Sequence, residues 1–267
     1  MRSKLRRALL VSLALASTAF ACTTFDSDPV PAEGGVPDGA PTPSPDGATS
    51  DATGPDLPDG DTRLALCQRI DARACLDFEP GSPGRGLKTT ITNVDLELRD
   101  GGAQDSMVSQ HVSTKADAAS GYELGAILDV PFAMSLDVLI RSLTETGAGM
   151  YVVNIGSPSG ATRVYLNARR TAGATFALEA EVAGVLDGGQ TASTTTGIAS
   201  NLRLDRWLNV HAVVTSQQIS FSIDGQSSVD VMLDPQLARF GRATKFSAGP
   251  ASARERFDVR IDNVVVP

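Results

Sequence analysis

The residues that could act as nucleophiles stand in contexts that do not favour catalysis. Ser157 and Ser159 lie in the stretch Gly-Ser-Pro-Ser-Gly at 156–160. This stretch lacks the glycine placement of the G-x-S-x-G nucleophile elbow and is typical of a turn. His211 has no Cys or Ser close to it in the sequence that it could activate. Gly-rich stretches elsewhere precede neither a Lys-Ser/Thr pair nor a helix, so no phosphate-binding loop is indicated.

Three cysteines, Cys22, Cys67 and Cys75, define the thiol chemistry of the chain. Cys67 and Cys75 enclose seven residues, a spacing that predicts a disulfide in an exported protein. A metal site at this pair is a poor alternative because no further Cys follows it and the two histidines, His111 and His211, are distant in sequence.

These residues have to be positioned by strands, because apolar side chains recur with a period of two along most of the chain beyond the cysteines. An Asp-Gly pair at 224–225 predicts a hairpin turn, and 234–240 could form one helical turn. Apolar and polar residues alternate regularly, and residues typical of turns are frequent. This pattern predicts an all-β antiparallel sandwich of about eleven or twelve strands. The predicted strands are 88–98, 107–112, 122–129, 134–141, 150–156, 162–168, 176–182, 207–214, 219–223, 227–233 and 257–266.

Two segments resemble a known hairpin. W-L-N-V-H-A-V-V at 207–214, followed by I-S-F-S-I-D-G at 219–225, is similar to the "W-x-x-V-x-V … L-x-hydrophobic-D-G" hairpin of laminin-G-like and pentraxin-like domains. These domains belong to the concanavalin A-like lectin/glucanase superfamily. C-L-D-F-E at 75–79 and R-I-D-N-V-V-V at 260–266 resemble the first and last strands of related domains, which are adjacent in space. The resemblance implies an antiparallel two-sheet jelly-roll sandwich for residues 61–267.

The superfamily contains glucanases, whose retaining members carry E-x-D-x-x-E on one strand. Cleavage of a sugar bond by hydrolysis usually needs two carboxylates that flank it. The nearest run is E-A-E-V-A-G, in which Glu181 replaces the Asp and Gly184 replaces the acid/base. Glu179 and Glu181 are therefore expected to form a solvated strand face. Together with the missing nucleophile pattern, this predicts that the protein is not an enzyme.

Glycan binding is the function that the resemblance implies, because such sites present aromatic rings for stacking and polar groups that fix orientation. Tyr165, Asn167 and Arg169 share strand parity and are the predicted ligand-binding residues. Trp207 is expected to be structural, because the Trp of these families usually packs in or beneath the sandwich. The side chains that could line a sheet face are Trp207, Tyr151, Tyr165, Asn154, Asn167 and Arg169.

Acidic residues of the opening and closing strands predict a structural calcium site. If the first and last strands pair as in related domains, Asp77, Glu79 and Asp262 converge. Calcium prefers carboxylate and carbonyl oxygens, and a cation at this place would join the two ends of the domain. The alternative is a set of exposed carboxylates balanced by Arg85 or Arg260.

Residues 1–21 have the pattern of a signal peptide, with a basic start, an apolar run at 8–16 and a small-residue cleavage site. Ala-Phe-Ala at 19–21, directly before Cys22, resembles a bacterial lipobox, so Cys22 is the predicted lipidation site. An ordinary A-x-A cleavage site is the alternative. Lipid on Cys22 would leave the other two cysteines as an even pair.

Residues 22–60 are predicted to form a disordered linker. The stretch 23–60 contains eight acidic residues, no Lys or Arg, and eight of the fifteen prolines. Such a composition cannot bury enough apolar surface to offset the loss of chain entropy. The linker is interpreted as a tether that holds the domain 61–267 off a membrane, or as a spacer with no length requirement.

The full chain has a net charge of −8 and no basic patch that would predict a nucleic-acid partner. The sequence predicts a lipoprotein that is exported and lipid-anchored to the cell envelope, in the outer membrane of a Gram-negative bacterium. Its predicted function is non-catalytic binding of a glycan or a surface protein. A structural envelope protein with no small ligand is the alternative, and a glycan-active enzyme with an unrecognised site is a third hypothesis.

Overall fold

The computed structural model describes residues 65–267 except 83, 105, 116–117, 145–148, 172, 187–188 and 255. The predicted signal peptide, linker and lipidation site lie outside the described residues. One short helix, α1 (Leu66–Arg69), precedes the strands. The strands are β1 (Ala74–Leu76), β2 (Lys88–Thr92), β3 (Val94–Asp100), β4 (Val108–Thr114), β5 (Ser120–Leu128), β6 (Phe132–Leu143), β7 (Met150–Gly156), β8 (Thr162–Arg170), β9 (Thr175–Val185), β10 (Thr191–Arg203), β11 (Trp207–Val214), β12 (Gln218–Ile223), β13 (Val229–Met232), β14 (Thr244–Ser252) and β15 (Phe257–Val266).

The strands form two antiparallel sheets, and the predicted all-β jelly-roll sandwich is confirmed. The first sheet has the order β13-β12-β11-β6-β15-β4-β3, and β1 pairs with β15 beside this path. The second sheet has the order β10-β9-β8-β7-β14-β5-β2. Neighbours in space are often far apart in sequence, which is the crossed connectivity of a jelly roll.

Side chains that alternate along the strands build one apolar core between the sheets. In β9 every second residue is buried, and in β12 the pattern is the same. A shift by one residue would turn these apolar side chains to solvent, so the core fixes the register of both sheets. The largest fully buried side chains are Phe176, Phe221, Leu124, Met134, Leu136, Ile140, Met150, Ile155, Leu166, Leu178, Leu208 and Ile219.

The sequence prediction missed two strands and merged two others. β10 consists mainly of Thr, Ser and other small residues at a sheet edge, so it shows no apolar alternation. β14 contains a Gly-Pro pair at 249–250, and both residues are depleted in strands. The predicted strand 88–98 is divided at Asn93, which has a φ of 47°, into β2 and β3 of different sheets.

Turns connect the strands where the sequence predicts them, with one correction. Asp224 and Gly225 have φ values of 51° and 69°, as a turn with two left-handed residues requires. The stretch 234–240 forms a single turn instead of the predicted helical turn: the N–H of Leu237 donates to the carbonyl of Asp234 at 3.0 Å. Among the described residues, no helix has the length and hydropathy to cross a membrane.

The beginning of the domain is attached to the outer face of the first sheet. A disulfide joins Cys67 to Cys75, and β1 pairs with β15 so that Cys75 lies opposite Val265. The carboxylate of Asp77 accepts a hydrogen bond from the backbone N–H of Cys67 at 2.7 Å. Val265 packs with the two cysteines, whereas its neighbours at 264 and 266 face the central core. Helix α1 therefore lies on the side of the first sheet that faces away from the core.

Loss of this disulfide should destabilise the domain without changing its fold. Closing so short a loop restricts the unfolded chain and contributes about 2.5 kcal/mol in the chain-entropy model. The variant Cys67→Ser/Cys75→Ser should unfold at a lower urea concentration with an unchanged dependence on urea. Dithiothreitol should lower the midpoint of the parent domain to that of the variant. Equal midpoints for the oxidised parent and the variant would contradict a stabilising role.

Candidate active site

The outer face of the second sheet carries a row of mainly polar residues that crosses all seven strands. In β8, Val164, Leu166 and Ala168 face the core, so Tyr165 between them points outward. Cross-strand pairing then sets one residue of every strand beside the next. The row runs in order through Thr195, Glu181, Tyr165, Asn154, Ser247, Gly125 and Lys88.

A cleft of about 570 Å³ lies over this row at strands β2, β5, β14, β7 and β8. Its described lining includes three cationic side chains, Lys88, Arg163 and Lys245, and one carboxylate, Glu123. Gly125 and Gly156 form part of the floor, where the missing side chains leave room. A smaller cleft of about 280 Å³ continues toward β9 and β10, and Arg163 lines both clefts.

Two tyrosines stand beside the cleft at the level of Arg163. The rings of Tyr151 and Tyr165 stack with centroids 4.4 Å apart. Nη1 of Arg163 donates a hydrogen bond to the hydroxyl oxygen of Tyr165 at 3.3 Å, and this bond raises the pKa of Arg163. Burial, followed by the nearby Tyr165 and Glu181, raises the pKa of Tyr151. The Tyr165 oxygen is therefore held by a guanidinium that lines both clefts, although Tyr165 itself is not among the described lining residues of either cleft.

The two glutamates of β9 are engaged by neighbouring side chains. Glu181 accepts hydrogen bonds from Nδ2 of Asn167 and from Oγ of Ser193, both at 3.0 Å. Glu179 lies 3.2 Å from Nε of Arg169. The sequence predicted that both glutamates lie on a solvated strand face. They do lie on one face of β9, but their carboxylates contact neighbouring side chains of the sheet.

Several buried polar atoms on this face have no hydrogen-bond partner among the described residues. They include Oδ1 of Asn154 and Oδ1 of Asn167. Buried polar groups in proteins are nearly always paired, so such atoms mark positions that a ligand or solvent can satisfy. Asn154 also lines the larger cleft, beside Tyr165 in the row.

The residues predicted from strand parity lie together on β8. Tyr165 is partly exposed beside the clefts, Asn167 is buried, and Arg169 is engaged with Glu179. Tyr151 and Asn154 are on the same face. Contact of Tyr165, Asn167 and Arg169 with a ligand stays a prediction.

Trp207 lies apart from the other residues that sequence reasoning grouped with it. It is on β11 of the first sheet, where the guanidinium of Arg260 lies 5.8 Å from its ring. His211 is on the same strand. Ser157 belongs to the predicted turn, with its carbonyl bonded to the N–H of Gly160.

Sequence reasoning missed Arg163, Lys88 and Lys245 as site residues. Arg163 shares the parity of Tyr165, which was the available signal. Lys245 lies in β14, which was not predicted as a strand, and Lys88 reaches the cleft only because β2 pairs with β5. Their proximity depends on pairings between strands distant in sequence, which no local pattern encodes.

The three acids of the predicted calcium site accept hydrogen bonds from backbone N–H and hydroxyl groups. Asp77 accepts from Cys67, and Glu79 accepts from Oγ of Ser106 at 2.6 Å. Asp262 accepts from the N–H of Ala103 at 2.9 Å, and its burial raises its pKa to about 7. Within the described residues, no group of three or more His, Cys, Asp or Glu side chains is arranged to hold a metal. Calcium stays a prediction that these hydrogen bonds do not support.

Comparison with known proteins identifies similar folds only. No protein-family model and no curated protein sequence matches the chain. An endo-β-1,4-glucuronan lyase from the fungus Trichoderma reesei is 11% identical, with a TM-score of 0.49 over 73% of this chain and 95% of that chain. An alginate lyase from Klebsiella pneumoniae is 10% identical, with a TM-score of 0.43 over 61% and 82%. An alginate lyase solved in complex with dimannuronate is 13% identical, with a TM-score of 0.44 over 66% and 89%.

These solved structures contradict the prediction of a non-catalytic module that is not an enzyme, because proteins of this fold include polysaccharide lyases. The prediction was wrong for a chemical reason. It rested on the missing serine elbow and the missing E-x-D-x-x-E pattern, which are signatures of hydrolysis. Cleavage by elimination requires neither a serine nucleophile nor a pair of carboxylates. At this level of identity the likeness shows the fold alone.

Proposed function

We propose that this protein is an enzyme that cleaves an anionic, uronate-containing polysaccharide by β-elimination on the outer face of its second sheet. The observation that carries the proposal is the contact between the Tyr165 hydroxyl and Arg163, a residue that lines both clefts. Similar folds occur in lyases of alginate and glucuronan.

The charge of the larger cleft favours an anionic substrate. Among its described lining residues, the three cations Lys88, Arg163 and Lys245 outnumber the one carboxylate, Glu123, although the whole chain is acidic. Glu123 is engaged by Oγ of Ser247 at 2.9 Å. A local excess of cations on an acidic protein concentrates a polyanion at this place.

The cleft offers the groups that elimination from a uronate needs. A base removes the proton at C5, next to the carboxylate, and the electron pair of the C–H bond forms a double bond between C4 and C5. The C4–O4 bond breaks, and the leaving oxygen takes up a proton. The reaction needs one group that exchanges protons and donors that hold the carboxylate while charge accumulates on it.

Tyr165 is the proposed group that exchanges protons. Its oxygen can accept the C5 proton as phenolate and return it to O4 as phenol, which restores the starting state. Arg163 donates to that oxygen and can hold the phenolate. Asn154 stands beside Tyr165 in the row and can bind the carboxylate through its amide group.

Hydrolysis is a poorer fit to the same cleft. It usually requires two carboxylates, one on each side of the scissile bond. Among the described residues that line the larger cleft, Glu123 is the one carboxylate. Glu179 and Glu181 on β9 are occupied by Arg169, Asn167 and Ser193.

Tyr165→Phe should abolish cleavage of a polyuronate such as alginate or glucuronan, because no proton can be transferred. The rate should fall by at least about a hundredfold, the usual contribution of general acid–base catalysis. The measurement is the ultraviolet absorbance of the new double bond conjugated with the carboxylate. Tyr122→Phe, at a core tyrosine, is the control and should retain activity. Reducing ends formed without that absorbance would indicate hydrolysis and reject the proposal.

Gly156→Val should block the cleft and leave the fold intact. A Cβ at this position would lie 3.8 Å from Cβ of Lys245 and 4.0 Å from Cγ of Arg163, which are ordinary contacts. Valine also suits a strand, so the melting temperature should not decrease. The KM for polyuronate should rise sharply. Gly197→Val on β10, outside both clefts, should behave like the parent; an unchanged KM for Gly156→Val would place substrate elsewhere.

We also propose that the protein is exported and lipid-anchored through Cys22 to the cell envelope, at the outer membrane. The support is the signal-like pattern of residues 1–21 and the lipobox-like residues before Cys22. The mature parent protein should partition into detergent, whereas Cys22→Ser should leave an uncleaved precursor. A Cys22→Ser protein that is cleaved normally and remains in the aqueous phase would instead support ordinary signal cleavage.

A further inference from the structure

The two clefts that meet at Arg163 differ in charge. The larger cleft, over β14, β5 and β2, contains Lys88 and Lys245 in addition to Arg163. The smaller cleft, over β9 and β10, has no charged group in its described lining apart from Arg163. Its other described lining residues are small or uncharged: Gly160, Ala161, Ala183, Gly184, Val185, Thr191, Ala192 and Ser193.

The two lysines of the larger cleft are available for a ligand. Both are exposed, and neither ammonium forms an ion pair with a described residue. Some cations elsewhere on the domain are paired, for example Lys115 with Asp95 at 3.1 Å and Arg206 with Asp224 at 2.8 Å. A substrate carboxylate over these strands would therefore gain attraction without displacing an existing partner.

The cations are spaced regularly across the strands. Lys245 is two strands from Arg163, and Lys88 is two strands from Lys245. With strands ~4.8 Å apart, each step across the sheet is ~10 Å, close to the length of a disaccharide. Lys245 is in register with Arg163, whereas Lys88 is in register with Ser247, two residues further along β14. In a linear sugar chain, each sugar is turned over relative to the one before it. Side groups on one edge of the chain therefore repeat every second sugar, which is the length of a disaccharide. The spacing suits carboxylates on one edge of a bound polyuronate.

The smaller cleft has a neighbour that repels carboxylates. Oγ of Ser193, which lines this cleft, donates to Oε1 of Glu181 at 3.0 Å. Glu181 is also the direct neighbour of Tyr165 in the row. A uronate bound here would place its charge near that of Glu181, whereas a neutral sugar could use the hydroxyls of Thr191 and Ser193.

We infer that the site selects sugar charge differently on its two sides, with uronates over β14, β5 and β2 and neutral sugars over β9 and β10. The inference rests on the proposed function, because it assigns the substrate of that same site. The substrate class is an acidic heteropolysaccharide in which a uronate segment adjoins neutral sugars. Lys88 and Lys245 favour a sugar carboxylate over β14, β5 and β2. Glu181 disfavours a sugar carboxylate over β9 and β10.

The test uses alginate and a partly carboxyl-reduced alginate, in which some uronates have become neutral sugars. Mass spectrometry of the limit products identifies the sugars on each side of every cleaved bond, because elimination marks one new end with the double bond. Elimination itself requires a uronate as the sugar that bears the double bond, so that position is left out of the comparison. At the other positions, neutral sugars should be enriched on one side of the cleaved bonds and excluded from the other. Equal occurrence of neutral sugars at these positions on both sides, or exclusion from both, would overturn the inference.

Variants test the residues that set the selection. Lys88→Gln/Lys245→Gln should raise the KM for unmodified alginate by about fivefold per lysine, with little change in kcat. Lys115→Gln, which removes a paired lysine outside the cleft, is the matched control and should leave KM unchanged. Glu181→Gln should increase the proportion of cleaved bonds that have uronates on both sides. An unchanged proportion would show that Glu181 does not set the selection.

The outcomes separate this inference from the proposed function. Absence of unsaturated products from both polymers, with folding verified by circular dichroism, would overturn the proposed function together with the inference. Unsaturated products that show no side preference would overturn the inference and leave the proposed function in place. An unchanged KM in the double lysine variant would reject the role of the two cations.

Discussion

The five inner strands of the second sheet bury one face against the first sheet, and this burial determines what the other face can present. Val164, Leu166 and Phe176 are buried without exposure, and burial of one such side chain contributes about 1.5–3 kcal/mol. A shift of register by one residue would lose that contribution along a whole strand. The outward row is thus specified by the core, and the turn at 157–161 completes the lining of both clefts.

The clefts owe their shape to residues that are small. Gly125 and Gly156 occupy outward positions where their neighbours carry long cations, and Ser247 adds only a hydroxyl between them. Long side chains stand at the borders and short ones form the floor. The chemistry of the site and its accessibility therefore arise from one pattern of large and small residues on a regular sheet.

The fold was predictable because its signal is local. Alternation in segments such as β9 and β12 can be recognised within a few residues, and so can the turn at 224–225. The parity of Tyr165, Asn167 and Arg169 likewise placed them on one face. The cleft was not predictable, since Lys88 and Lys245 join it through the pairings of β2 and β14 with strands distant in sequence. The function prediction failed because it searched only for hydrolytic groups.

The point where the chain enters the domain has a mechanical consequence. Helix α1, β1 and the disulfide lie on the first sheet, opposite the clefts, and Asp77 fixes the backbone of Cys67 there. Any force on the preceding residues is thus transmitted to β15 in the middle of the first sheet. Because the clefts lie on the outer face of the second sheet, a pull at residue 65 would not act directly on the strands that form them.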